Sequence, residues 1–381
     1  MNCPIQSIDE PGLKVPNDVA IGLRQQVAGL LHRNSINFPG AQPVSFTRKH
    51  LDVLTREDYY VCEKSDGIRY LLYLTADENN QETHYLIDRR NEYWYVQAGS
   101  LHFPLPGNHQ AFHKGTVLDG ELVMDSLGDG RFEPQYLVFD CLAFNGQSMM
   151  SRELQKRLGY FHEQIFKPYK KLLDDYPQEK QYQPFFINLK DMQMAYGIRL
   201  IFEEVIKHLK HENDGLIFTA LHSEYKPGTD PHILKWKDAD ENTVDFVWKL
   251  KFPMVEPDEQ DRAEGITTPY IDYETTPQVD LLANHGSGNY HFYDTLHLED
   301  SEWEILKGLG DPLDDRVVEV YMDNQKRWRF YRFRDDKPDG NHISVVSSVI
   351  DSIRDGVTRD ELENHSKVIR DNWKAREKVR K

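Results

Sequence analysis

The chain has 381 residues and a formal net charge of −17, an acidic balance that excludes nonspecific wrapping of long nucleic acid, which needs a broad basic surface. A nucleotide or a single RNA end held in a locally basic cleft stays compatible with that charge. With 39% apolar and 29% charged residues the chain is globular with real cores, and its length suits two domains better than one.

Residues 1–20 are turn-rich, with Pro4, Pro11, Gly12 and Pro16, and read as an extended arm. The first thirty residues include Asp9, Glu10, Lys14, Asp18 and Arg24 and no apolar core, so no secretory signal is expected. No apolar run anywhere approaches membrane-spanning length. Cys3, Cys62 and Cys141 lack metal-ligand spacing and are odd in number, which fits a soluble protein in a reducing, intracellular compartment.

Val19, Leu23, Val27 and Leu30 recur at helical spacing and predict an amphipathic helix over 20–34. Phe38-Pro39-Gly40 breaks the chain, and Arg48 to Leu54 is expected to lead into the first strands of a sheet. Two β-prone runs, Tyr59 to Cys62 and Tyr70 to Leu74, then flank Glu63-Lys64-Ser65-Asp66-Gly67-Ile68-Arg69, which predicts strand, tight turn, strand. The turn presents Lys64, with Arg69 beyond it. A free lysine, with a pKa near ~10.4, is a poor nucleophile at neutral pH. Burial or neighbouring cations disfavour the ammonium, and the unprotonated amine can attack phosphorus. The stretch is therefore either an exposed hairpin with a solvated lysine or a covalent lysine–nucleotide site.

Tyr85 to Asn91 and Tyr93 to Val96 predict strand, charged turn, strand, with Arg89 either at an exposed tip or reaching a phosphate or ribose. Thr116 to Val123 places Glu121 inside an apolar strand, where an unpaired carboxylate is costly. Tyr136 to Leu142 repeats the pattern with Asp140. Two such acids fit a magnesium or sugar site, or carboxylates paired with structural arginines. Residues 150–176 read as a helix rich in basic and tyrosine side chains, among them Arg152, Tyr160, Lys170 and Lys171. That patch is either a solvated face or a phosphopeptide dock. A helix is expected to run through Ile201 to Leu209, and Asp214-Gly215 heads a further β-prone run. Ile233 to Lys237 alternates, so Lys235 and Lys237 share one strand face and point either to water or to a polyanion. From Asn242 onward short alternating runs predict a small β-barrel domain, with 255–277 as an inserted loop. Ile343 to Ile353 and Thr358 to Trp373 are expected as terminal helices, followed by a basic tail.

In this order the stretches resemble the covalent nucleotidyltransferase superfamily of mRNA capping enzymes and ATP-dependent polynucleotide ligases. The matching stretches are Lys64-Ser65-Asp66-Gly67-Ile68-Arg69, Leu86-Ile87-Asp88-Arg89, Leu118 to Val123, Val138-Phe139-Asp140, Asp214 to Phe218, Leu234-Lys235-Trp236-Lys237 and Arg334-Asp335-Asp336-Lys337. Asn242 to Phe246, Lys190-Asp191-Met192 and Trp328 to Asn341 resemble the capping-enzyme versions, in the stand-alone fungal form. Ser65 departs from the Thr of many relatives but keeps the hydroxyl.

The resemblance implies an α+β fold: a nucleotidyltransferase domain of antiparallel sheets and helices over 1–243, then an OB-fold barrel with terminal helices over 244–381. It implies that Lys64 attacks the α-phosphate of GTP, forming a lysyl-GMP phosphoramidate that passes to a 5′-diphosphate RNA end to make the GpppN cap. Arg69, Arg89 and Glu121 would hold ribose or phosphate, Ser65 and Lys190 would read guanine O6, and Lys235 and Lys237 would clamp the α-phosphate. Asp214 and Asp245 would lie near the metal or the lysine clamp. Arg334, Asp336 and Lys337 would orient the leaving pyrophosphate on domain closure, with Mg²⁺ or Mn²⁺ neutralising the phosphates. Nuclear localisation is implied, with three partners: a separate RNA 5′-triphosphatase, the phosphorylated C-terminal domain of RNA polymerase II, and the repeat tail of a transcription elongation factor. The alternatives are an ATP-dependent ligase, distinguished by nucleotide choice, and a non-catalytic phosphopeptide scaffold, which would have no need of the filled chemical positions.

Overall fold

The β-prone runs flanking Lys64 form strands, Tyr59–Ser65 and Ile68–Ala76, but these do not pair with each other. In the computed structural model, which describes residues 7–97, 101–238, 242–323, 325–335 and 337–380, they belong to different sheets. Tyr59–Ser65 lies in a five-stranded sheet between Gln193–Met194 and Asn213–Ala220, beyond which come Gly228–Trp236 and Ala41–Ser45. Ile68–Ala76 lies in an eight-stranded sheet between Glu82–Ile87 and Thr116–Ser126. Asp66-Gly67 is thus a corner from one sheet to the other, not the tip of a hairpin. Only glycine fits it: a Cβ on Gly67 would sit 2.6 Å from the Leu122 carbonyl oxygen and 2.7 Å from Val123 Cγ1.

Ile68–Ala76 is apolar throughout because both its faces are covered. Tyr70, Leu72 and Leu74 enter one core, shared with Phe161, Ile165 and Tyr169 of the helical segment that runs from Leu154 to Asp175. Leu71 and Tyr73 enter the opposite core, shared with Ala20, Leu23 and Val27 of the helix Asn17–Leu30. Strand alternation of period two supplies both cores from one strand. Most pairings are antiparallel as expected. Among the strands of the described residues three pairings are parallel: Phe132–Phe144 with Phe186–Leu189, Gly228–Trp236 with Ala41–Ser45, and Tyr290–Leu296 with Trp328–Phe333.

Residues Lys49–Arg56 form a helix where the sequence led us to expect an approach to a strand. Leu51 and Leu54, three apart, are buried on one face, and the window is too short for that period to stand out. The chain divides into two compact units, and the C-terminal helix Arg359–Arg380 belongs with the first, not with the barrel as the sequence boundary had it. It packs along Lys49–Arg56, where Arg48 and Glu361 pair at 2.7 Å. Arg376 and Arg380 reach the buried Asp58 carboxylate at 2.7 and 2.6 Å. Burial raises that carboxyl's pKa, but hydrogen bonds from the two arginines outweigh it and hold it below its usual range.

The second unit, Lys237–Thr358, contains the expected barrel. Thr243–Lys251, Gln278–Asn284, Tyr290–Leu296, Trp328–Phe333 and Val317–Met322 close on themselves in that order. Val244, Phe246 and Trp248 point inward, against Leu281, Val318, Val320 and Trp328. Helices Asp300–Lys307 and Ile343–Arg354 add Trp303, Leu306, Val346 and Ile350 to that core. The 255–277 excursion holds only a short helix and a two-residue pairing. Among the described residues no helix is long and apolar enough to cross a membrane.

Because two arginines of the last helix converge on one buried carboxylate, Asp58→Asn is expected to lower unfolding free energy at pH 7 by about 1–3 kcal/mol. The folded carboxyl's pKa is depressed, so its contribution is present above the unfolded carboxyl pKa and fades as pH falls through the lower folded one. Urea midpoints for both proteins at pH 7 and near pH 3 check this. Equal midpoints at pH 7 would mean the helix is held by its apolar face alone.

Candidate active site: a lysine at the corner of two sheets

A cavity of about 820 Å³, counting open space at its mouth, lies between the two sheets of the first unit. Lys64, Arg69, Arg89, Glu121, Asp140 and Lys190 from the sequence reading all line it. Lys64 comes from the end of its strand just before the Gly67 corner. Opposite it the partner strand bulges: Asn213 pairs with Ser65 and Leu216 with Glu63, leaving Asp214-Gly215 facing one residue. Gly215 takes φ +124°, a conformation that favours glycine. The bulge delivers the Asp214 carboxylate to Lys64 Nζ, where the two form an ion pair. Both side chains remain about a quarter exposed (26% and 27%), so a ligand entering the cavity can reach them.

Behind Lys64 lies a chain of buried charges. Lys190 Nζ donates to Ser65 Oγ and pairs with Glu63 Oε1 at 2.7 Å, and Ser65 Oγ donates to Glu121 Oε2 at 2.7 Å. His211 faces Glu63 at 3.7 Å through Nε2 and bonds Asp125 at 2.7 Å through Nδ1. Burial lowers the His211 pKa, but the partners Asp125 and Glu63 outweigh it and raise it to about 9. Burial likewise raises Glu63, yet His211 and Lys190 together hold it below its usual range. The segment carrying His211 is pinned on both sides: Ser126 N–H donates to the Lys210 carbonyl at 2.7 Å and Asp66 N–H to the Glu212 carbonyl at 2.9 Å.

Two acids of the cavity wall are spoken for by arginines. Asp119, fully buried, accepts from Arg69 Nε at 2.9 Å and Nη2 at 2.6 Å, and from Tyr225 Oη at 2.6 Å. Arg69 also donates to the Ala41 carbonyl. Asp140 accepts from Arg157 Nε at 2.6 Å and Nη2 at 2.8 Å. Asp140 as a metal ligand is therefore set aside: both its oxygens serve a structural arginine, the other reading open at the sequence level. Gly120 keeps the wall thin, since a Cβ there would meet Tyr136 Cζ at 2.6 Å.

Arg89 is exposed on the turn after Glu82–Ile87. Lys235 pairs in register with Ile217, which pairs with Cys62. Cys62 and Ile217 line the cavity, so Lys235 shares its face of the sheet. Lys237 and Asp245 fall in the second unit. There Asp245 holds Arg334 at 3.2 Å and also pairs with Lys337, while Glu319 lies 3.5 Å from Arg334. Asp245 is thus brought to Arg334 and Lys337, the pyrophosphate-binding candidates. Asp336 lies outside the described residues. The helical segment begins at Leu154 rather than 150, so the exposed Arg152 lies in the turn before it. Tyr160 on it is exposed, but Lys171 pairs with Asp175 at 2.8 Å and Lys167 with Glu163 at 2.7 Å. Lys170 packs over the Phe166 ring at 5.4 Å. That face carries less unpaired positive charge than its composition implies.

Sequence reasoning passed over Glu63, Asp119, Arg157, His211 and Tyr225. Glu63 and Asp119 adjoin residues it singled out, and an acid inside an apolar run was signal enough for both. His211 and Tyr225 sit at no telling spacing; only the fold brings them in.

Residues 5–239 match the family model described as mRNA capping enzyme, catalytic domain, and residues 241–363 match that of the mRNA capping enzyme C-terminal domain. The protein named mRNA-capping enzyme subunit alpha of Neurospora crassa is 54% identical over 99% of this chain and 96% of its own length. The protein of that name in Schizosaccharomyces pombe is 42% identical over 98% of this chain and 91% of its own. Among solved structures, a mycobacterial DNA ligase D complexed with ATP and MES covers 78% of this chain and 95% of its own at 16% identity and a TM-score of 0.38, too remote to bear on function.

The raised pKa of His211 makes a stability prediction. Its contribution is fully present below about 6.5, the unfolded value, and is lost as pH rises through about 9. The stability gap between the unsubstituted chain and His211→Leu, read from urea midpoints, should therefore shrink between pH 6 and pH 9.5. A gap independent of pH would mean the imidazole is uncharged in the fold.

Proposed function

This chain belongs to the mRNA capping enzyme family and is a guanylyltransferase, and from that premise we propose that Lys64 is the residue that carries the nucleotide. The observation that supports it most is Lys64 on the cavity wall, ion-paired with a carboxylate that a bulge brings to it. In the first half-reaction the Lys64 amine, having lost its proton, attacks the α-phosphorus of GTP. A P–N bond forms, the bond to the bridging β-phosphate oxygen breaks, and pyrophosphate leaves. In the second, a terminal oxygen of a 5′-diphosphate RNA attacks the same phosphorus, the P–N bond breaks, and the amine regains a proton.

Asp214 orients the amine for this attack. Lys235 and Lys237 are proposed to stabilise charge on the α-phosphate, and Arg89 and Glu121 to hold ribose or phosphate. Arg69 is proposed as a fixed charge of the cavity wall, since Asp119, Tyr225 and the Ala41 carbonyl engage its donors. Ser65 and Lys190 are proposed to read guanine O6, and Arg334, Asp336 and Lys337 to orient pyrophosphate.

Among the described residues no cluster of three His, Cys, Asp or Glu side chains could cage a metal, and Asp119 and Asp140 are consumed by arginines. The donors of the described residues do not fit a protein-held ion, and no step here is routed through one. Mg²⁺ or Mn²⁺ entering with the triphosphate, held chiefly by phosphate and water oxygens, is compatible with the site. A nuclear location, a separate triphosphatase and the tails of RNA polymerase II and of an elongation factor are proposed on the strength of family membership. For tail docking, Arg152 and the exposed Tyr160 are the better candidates, Lys171 being paired.

Incubation with α-labelled GTP is expected to label the denatured chain with acid-labile, base-stable nucleotide, and α-labelled ATP is not. Lys64→Ala should abolish labelling, and Asp214→Asn should slow it by about 100-fold through misplacement of the amine. Label from ATP alone would point to a ligase; label from GTP surviving in Lys64→Ala would unseat Lys64. Charge reversal at Arg152 and Lys170 should abolish binding of a phosphorylated heptad peptide and leave labelling intact. Unchanged peptide affinity would remove that surface from the account.

A further inference from the structure

Glu63 is 3% exposed and lies between two cationic groups. Its Oε1 meets Lys190 at 2.7 Å on the cavity side and His211 Nε2 at 3.7 Å on the far side. Neither Glu63 Oε2 nor His211 Nε2 has a hydrogen-bond partner, though both are buried. At 3.7 Å the imidazole and carboxylate attract without closing a hydrogen bond. The order Asp125, His211, Glu63, Lys190 alternates in charge, so the row is neutral overall and ends in an ammonium at the cavity.

We propose that His211, held by Asp125, is a positioning residue for base recognition: by sharing Glu63 with Lys190 it keeps the Lys190 ammonium directed at the 6-oxo group of a purine. This rests on the reading that Ser65 and Lys190 recognise guanine O6. Without a second cation behind it, buried Glu63 has only Lys190 for compensation, and an unpaired buried charge is costly. The ammonium is then drawn back onto Glu63, away from Ser65 Oγ and from the ligand. Adenine presents an amino donor where guanine presents an oxygen, so a fixed ammonium favours one and repels the other. Sites built to hydrogen-bond one group discriminate strongly against analogues that lack it.

The test compares GTP with 2-aminopurine riboside triphosphate, which keeps the 2-amino group and lacks the 6-oxo group. Single-turnover formation of the Lys64 adduct, followed by intact mass, gives a preference ratio for the full chain and for Lys190→Ala, His211→Leu, His211→Gln and Asp125→Asn. The full chain should favour GTP, and Lys190→Ala should lose that preference. His211→Leu should lower the ratio by about tenfold or more, with His211→Gln and Asp125→Asn moving the same way by less. Should either His211 variant fail to fold, Asp125→Asn, altered at the outer, partly exposed end, carries the test. Equal slowing with both nucleotides, or a fall in Tm with the ratio intact, would overturn the role of His211 while leaving Lys190 as base reader if Lys190→Ala has lost the preference. If Lys190→Ala keeps it, the base-reading assignment fails and this inference falls with it.

Discussion

The site depends on one backbone manoeuvre, the passage of the chain from one sheet to another at Asp66-Gly67. Had the strands on either side paired as a hairpin, Lys64 would lie near a solvent-exposed tip. Because they diverge, the last residues of the first strand stand at the seam where the two sheets face each other. The corner holds only because residue 67 lacks a side chain, with Leu122 and Val123 pressed against it. The bulge at Asp214-Gly215 serves the same end from the next strand, turning one carboxylate toward the lysine. Two glycines, each preceded by an aspartate, thus set the geometry of a lysine that neither of them touches through a side chain.

The electrostatics follow from where the charges are buried. A chain of net charge −17 must hold a cavity fit for a polyanion. It does so by pairing wall carboxylates with cations rather than by piling up basic residues. Asp119 is matched by Arg69, Asp140 by Arg157, and Glu63 by Lys190 and His211. Each pair repays a desolvation cost that a lone carboxylate would leave unmet. The pairs also keep arginines and lysines at fixed places on the wall, so a phosphate meets an array that needs little rearrangement.

Much of this could be read from the residues. The strands around Lys64, Glu121 and Asp140 are strongly apolar and β-branched or aromatic, and their period holds whichever sheet they join. The family's stretches, in order, pointed to Lys64, and the cavity gathers six of the proposed residues. Pairing partners could not be read in the same way. Whether Tyr59–Ser65 bonds to Ile68–Ala76 or to Asn213–Ala220 turns on contacts far apart in sequence, and local pattern is silent on it. The same holds for Asp58, whose arginines lie more than 300 residues on, with the pairs to Arg376 and Arg380 spanning 318 and 322. A short helix such as Lys49–Arg56 offers too few turns for its period to show.

Asp245 follows Lys235 and Lys237 closely in sequence, but it pairs with residues from distant parts of the chain. In the fold it heads the barrel's first strand, where Thr243, Asp245 and Val247 alternate with the inward Val244, Phe246 and Trp248. Its register partner is Glu319, and Glu319 in turn pairs with Arg332. An acid at that position meets Arg334 and Lys337 because the closing strands of the barrel pass beside it. Two cations so close would repel each other and splay apart without a shared counter-ion. Asp245 thus pairs with cations of the second unit as Asp214 pairs with Lys64 in the first.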